Sequence, residues 1–216
     1  MKPLRVGNAR HVLVVAPHPD DETIGAFGLI RLLRARGARV RVVIVADGAA
    51  SHPSSMRWPK ARLVAERRRE TRRAMRLAGV PAGDLRFLGL PDGGLPDAVP
   101  RMMRRIDRVG RQMRRLDLLI APATDDDHPD HRAVARQLRV GHARRLSYLI
   151  WPRRDGSSNK RPNRGLKIAG SVKRAAILTY RTQCGGITDD PEGFALSRRE
   201  IAAFSRVIEG YREERA

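Results

Sequence analysis

Two clusters of imidazole and carboxylate are written almost alike in this chain. Pro17-His18-Pro19-Asp20-Asp21-Glu22-Thr23 follows the apolar run at 12–16, and Asp127-His128-Pro129-Asp130-His131 follows the largely apolar run at 116–121. Ionisable groups beside a core are costly to desolvate unless they are paired or share a task. His18 and Asp21 stand three positions apart at the start of an expected helix, a spacing that brings both side chains to one face. With a histidine from the second cluster they offer two neutral nitrogens and one carboxylate oxygen, which suits a zinc site with a fourth position open for water. A closed structural zinc usually takes four protein ligands with cysteines among them, and this chain has one cysteine, Cys184. The same donors can hold iron(II) in an oxygenase. Either cluster alone could be a turn with an aspartate capping the next helix. Two such clusters, each closing an apolar strand, are hard to attribute to caps.

Loops this distant in sequence meet when both leave the carboxyl edge of one sheet. Residues 12–16 read as a buried strand, 24–36 as a helix stopped by Gly37, and 40–46 as a second strand. Together they make a right-handed βαβ unit with the first cluster at its strand-to-helix turn. A basic helix is expected over 59–79, with Ala61, Val64, Ala65, Ala74, Met75 and Ala78 as its buried stripe. A short strand at 85–88, a helix at 96–115, a strand at 116–122, a helix at 132–139 and a strand at 147–151 follow. The alternation predicts an α/β fold over residues 1–216, a single doubly wound domain with a mostly parallel sheet and helices on both faces. Residues 153–164 lack periodicity and are expected to form a mobile loop, and 173–184 and 197–215 read as amphipathic helices.

At 216 residues the chain can bury one substantial core, and 41% hydrophobic residues exclude a disordered chain. No apolar run reaches the roughly 18 residues of a membrane span, and the run at 12–16 is too short for a signal peptide. The expectation is a cytoplasmic protein, with Cys184 a buried, inert thiol. The formal charge of +21 would draw nucleic acid, anionic lipid or a phosphorylated substrate. Its basic residues are spread through every helix without interleaved aromatics, so a nucleic-acid-binding module is the weaker reading. If the pocket shares the basic field, anionic substrates should react faster than neutral ones.

The paired motifs resemble the LmbE/PIG-L family of metal-dependent N-deacetylases. Smaller echoes are Asp47-Gly48 with Ser51-His52, Arg67 with Glu70, the stretch Leu88 to Gly93, and Lys173, Tyr180 and Gln183. The resemblance runs from Val12 to about Phe194. It implies a Rossmann-like fold, zinc, and removal of an acyl group from the nitrogen of an N-acetylglucosamine-containing small molecule or conjugate. It also implies zinc ligands His18, Asp21 and His131, with Asp20 as the general base. His128 would stabilise the oxyanion and protonate the leaving amine, and Asp130 would orient His128. Arg67 and Asp92 fall where the family contacts its sugar. The chain departs from some members, which have a tyrosine ahead of the second motif where this sequence has Thr124-Asp125-Asp126-Asp127. Those acids could favour a cationic or hydroxyl-rich substrate or form a solvated turn.

Overall fold

A computed structural model describes residues 1–113, 115–138, 142–153, 155, 157 and 159–214. In chain order the elements are β1 (Lys2–Pro3), β2 (His11–Ala16), α1 (Asp21–Ala35), β3 (Arg39–Ala46), α2 (Lys60–Leu77), β4 (Leu85–Leu90) and α3 (Val99–Arg111). These are followed by β5 (Leu118–Pro122), α4 (Pro129–Gln137), β6 (Arg144–Tyr148), β7 (Arg164–Lys167), α5 (Gly170–Ile177), α6 (Arg198–Phe204) and β8 (Ile208–Glu214). All eight strands lie in one sheet of order β1-β7-β8-β6-β5-β2-β3-β4. The run β6-β5-β2-β3-β4 is parallel throughout, and β8 is antiparallel to both β6 and β7.

Alternation along the central strands explains the two helical layers. Val12, Val14 and Ala16 of β2 join Val40, Val42 and Ile44 of β3 in a core with Phe27 and Leu29 of α1, Met75 of α2 and Ile177 of α5. Leu13, Val15, Val43 and Val45 point the other way, onto Met102 and Ile106 of α3 and Val134 of α4. The doubly wound reading therefore holds, with helices on both faces. The chain winds outward from β2 through β3 and β4 on one side and through β5 and β6 on the other. Since β2 and β5 pair directly, Val12 beside Leu118 and Val14 beside Ile120, the winding reverses between them. Both sequence clusters leave the carboxyl ends of these two strands, where such sheets open a crevice.

Several expectations change. The strand expected at 147–151 is β6 at Arg144–Tyr148. Its arginines are tolerated because Arg145 donates to Leu138 O at 3.1 Å and Ala135 O at 2.8 Å, while Arg144 pairs with Glu213. The helix expected over 197–215 is the short α6 followed by β8, with residue 215 outside the described residues. Residues 154, 156 and 158 of the expected mobile loop also lie outside them. Of the remainder, Lys160 N donates to Asp125 Oδ2 at 2.9 Å and Arg164 begins β7. The buried face of α2 is Leu63, Arg67, Glu70, Thr71, Ala74 and Met75, whereas Ala61 and Ala65 are exposed. Residues 114 and 139, expected to be helical, lie outside the described residues. Among the described residues no helix is long and apolar enough to cross a membrane.

Candidate metal centre

β2 ends at Ala16, and the turn that follows buries His18 and Asp20 before α1 begins at the equally buried Asp21. Asp21 is the first residue of α1, and its Oδ2 accepts the backbone N–H of His18 at 2.8 Å. That bond folds the turn back on itself and leaves the His18 ring over Asp21, with Nδ1 3.1 Å from the same oxygen. From the second turn, α4 carries His131 inward, where its Nε2 lies 3.1 Å from Asp21 Oδ2 and 3.3 Å from His18 Nδ1.

The three atoms form a nearly equilateral triangle, and their surroundings indicate which are lone pairs. His18 Nε2 is 3.1 Å from both Asp130 Oδ2 and Asp92 Oδ1, so the ring proton belongs there and Nδ1 is bare. His131 Nδ1 lies 3.2 Å from Asp126 Oδ2 but off the line of a good hydrogen bond. The charge of that carboxylate still favours the proton on Nδ1, leaving Nε2 bare. Three acceptors thus converge within 3.1–3.3 Å. Donors about 2.0–2.1 Å from a tetrahedral zinc would lie about 3.3 Å apart. A proton satisfies only one pair of these donors at a time, whereas a divalent cation satisfies all three, so the residues fit the metal their types imply.

The charges follow from this convergence. Burial works to lower both histidines, but Asp130, Asp21 and Asp92 hold His18 well above its ordinary value. Asp21 and Asp126 likewise push His131 up to about 9. Burial would raise Asp21, yet His131 and His18 hold it below the usual carboxylate range. Asp20 behaves oppositely. It makes no side-chain cap to α1, and burial lifts its carboxyl well above the usual range despite Arg67 beside it.

His128 caps α4, its Nδ1 accepting the Asp130 backbone N–H at 3.2 Å. Its ring centroid lies 4.7 Å from that of His18 and 4.9 Å from that of His131. Burial, then the charge on His18 and His131, lowers its pKa. The Asp130 carboxylate was expected to orient the His128 ring. Instead it bonds His18 Nε2 and accepts the backbone N–H of Gly93 at 2.9 Å and of Leu95 at 3.1 Å.

The two expected sugar contacts are also engaged with protein, although both line the cavity. Arg67 donates to Gly48 O at 2.9 Å and Pro19 O at 2.7 Å and pairs with Asp20 at 3.3 Å. Asp92 supports His18, accepts Ala50 N–H at 3.0 Å and is held at about 2, burial being outweighed by His18.

Sequence reasoning missed Asp126. It is fully buried, and besides facing His131 it accepts the backbone N–H groups of His128, Ile150 and Trp151. Nothing in the spacing separates it from Asp125, which pairs with Arg212, or from Asp127, which lines the cavity. A cavity of about 440 Å³ opens above the triangle, and its wall continues through Ser51, Trp151, Gln183, Phe194 and Glu200. Trp151 and Phe194 meet edge to face at 5.9 Å. The acidic residues of this wall are Asp20, Asp21, Asp92, Asp127 and Glu200, set against the engaged Arg67 and the imidazoles of His18 and His128. The basic excess of the whole chain therefore does not extend into the cavity.

Residues 13–140 match the family described as PIG-L, GlcNAc-PI de-N-acetylase. A curated relative named "Probable N-acetyl-alpha-D-glucosaminyl L-malate deacetylase 2", from Bacillus cereus, is 31% identical over 130 residues, 59% of this chain and 58% of the relative. The chain thus matches less than two thirds of that relative's length. The N,N'-diacetylchitobiose deacetylase of Pyrococcus horikoshii superposes with a TM-score of 0.70 at 22% identity, covering 95% of this chain and 84% of that one. The 4-carboxy-2-hydroxymuconate hydratase of Pseudomonas putida superposes with a TM-score of 0.62 at 15% identity, covering 94% and 95%. One fold therefore carries more than one reaction, and the site must decide between them.

Proposed function

This chain belongs to the PIG-L family, and on that premise we propose that it is a zinc-dependent hydrolase removing the acetyl group from the nitrogen of an N-acetylglucosamine-type sugar or conjugate. One observation carries the reading: the convergence of His18 Nδ1, Asp21 Oδ2 and His131 Nε2 within 3.1–3.3 Å beside a cavity lined by His18 and Asp21 together with Asp20 and His128. His18, Asp21 and His131 would hold the metal, which supplies Lewis acidity toward the amide carbonyl and brings a water's pKa to about 7. Iron(II) suits the same donors, but amide hydrolysis needs no redox metal.

Asp20 takes the proton of the attacking water. Burial raises its pKa well above the usual carboxylate range, which makes it a stronger base than a free carboxylate and lets it carry that proton onward. His128 has a fixed tautomer, because its Nδ1 accepts from Asp130 N and the neutral ring keeps its proton on Nε2. That N–H serves the developing oxyanion. Burial, then the charge on His18 and His131, lowers the pKa of this ring, and in its protonated form the same ring would give the leaving amine its proton, the role that the family resemblance implies.

The relatives' names supply the substrate class, since both the N-acetyl-alpha-D-glucosaminyl L-malate and the N,N'-diacetylchitobiose deacetylases act on N-acetylated amino sugars. The cavity falls in the range of about 300–1,000 Å³ usual for small-molecule sites, and Trp151 and Phe194 offer an apolar face to a sugar ring. A site assembled wholly on one sheet supports reading residues 1–216 as one domain. The test is acetate release from a panel of N-acetyl sugars and conjugates by the zinc-loaded protein. Hydrolysis should vanish on chelation and return with zinc. A panel left intact by both the zinc- and the iron(II)-loaded protein, or hydrolysis persisting in His131→Ala, would contradict the reading.

A further inference from the structure

Among the described residues Asp20 is the one non-glycine with a positive φ, at 127°. A residue bearing a Cβ is disfavoured there and persists only where its surroundings hold it. Two buried groups hold this turn. Arg67 ties down the Pro19 carbonyl at 2.7 Å and the Asp20 carboxylate at 3.3 Å. Glu22 Oε2 accepts the Asp20 backbone N–H at 3.1 Å.

Glu22 is itself fixed. Its Oε1 accepts from the Thr23 hydroxyl at 3.0 Å and from the Tyr180 hydroxyl, and those two hydroxyls lie 3.1 Å apart. Glu22 is 0% and Tyr180 1% exposed, so water cannot replace these bonds. A carboxylate in a helix's first turn commonly only satisfies the helix terminus. Here the N–H it accepts belongs to the strained residue, and its other oxygen reaches across the core to Tyr180, beyond α5. We propose that Glu22 and Tyr180 are positioning residues that hold Asp20 in its positive-φ conformation and so aim its carboxylate at the reacting atoms. The inference rests on the reading of Asp20 as the general base.

The test is Tyr180→Phe, which removes one donor to Glu22 and keeps the ring. Backbone amide exchange at Asp20 should accelerate. With metal content and KM unchanged, kcat should fall about 10- to 100-fold, the scale expected when a catalytic group is misplaced. In an Asp20→Asn background the same substitution should lower kcat no further, because the group it aims is already gone. Equal fold-losses in both backgrounds, or unchanged exchange at Asp20, would overturn the proposal and leave Tyr180 a packing residue. If Tyr180→Phe does not fold, Thr23→Val, which removes the other donor to Glu22, goes through the same cycle. Full activity in Asp20→Asn would overturn the base assignment and the positioning role together, while leaving acetate release intact as evidence for the deacetylase. A protein that hydrolyses nothing would defeat the deacetylase reading, and the exchange measurement would still decide whether Glu22 and Tyr180 hold Asp20.

Discussion

Asp20 and Asp21 are adjacent and chemically identical, yet they face different neighbours. Asp21 Oδ2 lies 3.1 Å from both bare imidazole nitrogens, whereas Asp20 is paired with Arg67. Asp20→Asn keeps the shape but cannot take a proton. Its kcat should fall by roughly 10²–10⁴ with zinc content unchanged, measured by steady-state kinetics beside metal analysis. Asp130→Asn should do the reverse of what an orienter of His128 would do. Because its carboxylate backs His18 Nε2, zinc affinity should drop about 10- to 100-fold, read by competition with a chelating dye. An unchanged affinity would return Asp130 to His128. His18, Asp21 and a histidine of the second motif were legible in the sequence because two similar motifs repeat a rare combination of types; the choice of His131 over His128 came from the family resemblance. Their supporting carboxylates were not legible. Asp92, Asp126 and Asp130 lie within reach of one imidazole or another, and which acceptor meets which nitrogen is set by the path of three loops.

The helices that carry these residues are positioned by close approach, and glycines mark where. A Cβ on Gly25 of α1 would lie 2.4 Å from the Tyr148 ring on β6, and that ring donates its hydroxyl to Val15 O at 3.1 Å. Alanine usually gains about 1 kcal/mol over glycine inside a helix. Here Gly25→Ala should instead lose about 1–3 kcal/mol through overpacking, seen as a lower Tm. Gly110 of α3 has nothing within 4 Å of its would-be Cβ, so Gly110→Ala should raise Tm. Equal shifts in the two variants would argue against close packing of α1 on β6. The βαβ alternation was readable because β2 and β5 are largely apolar, β3 is rich in valine and isoleucine, and helical periods flank them. β8 was not. Ile208-Glu209-Gly210-Tyr211-Arg212-Glu213 has the charge content of a surface helix, and only tertiary partners make it a strand. Glu209 is buried against Lys173 at 2.9 Å and accepts the Gly28 and Leu29 backbone N–H groups of α1. Glu213 meets Arg144 and Arg164 on the strands at either side.

At the scale of the whole molecule, a chain of net charge +21 encloses a cavity whose wall is chiefly acidic among its charged residues. The surface field and the site should therefore separate in experiment. Any affinity for single-stranded DNA should weaken steeply between low and moderate salt and be the same in His131→Ala, measured by electrophoretic mobility. Affinity that disappears with His131 would instead tie nucleic acid to the site. In the proposed function, one sheet edge assembles a single hydrolytic metal centre from both ends of a long sequence interval. Its most direct test is a zinc titration of the metal-free protein, followed by acetate release from an N-acetylglucosamine conjugate. Activity should rise linearly and level off at about one zinc per chain, as three donors closing on one ion require, and Asp21→Ala should remain inactive throughout. Full activity in the metal-free protein, or an Asp21→Ala curve that overlays the parent, would contradict it.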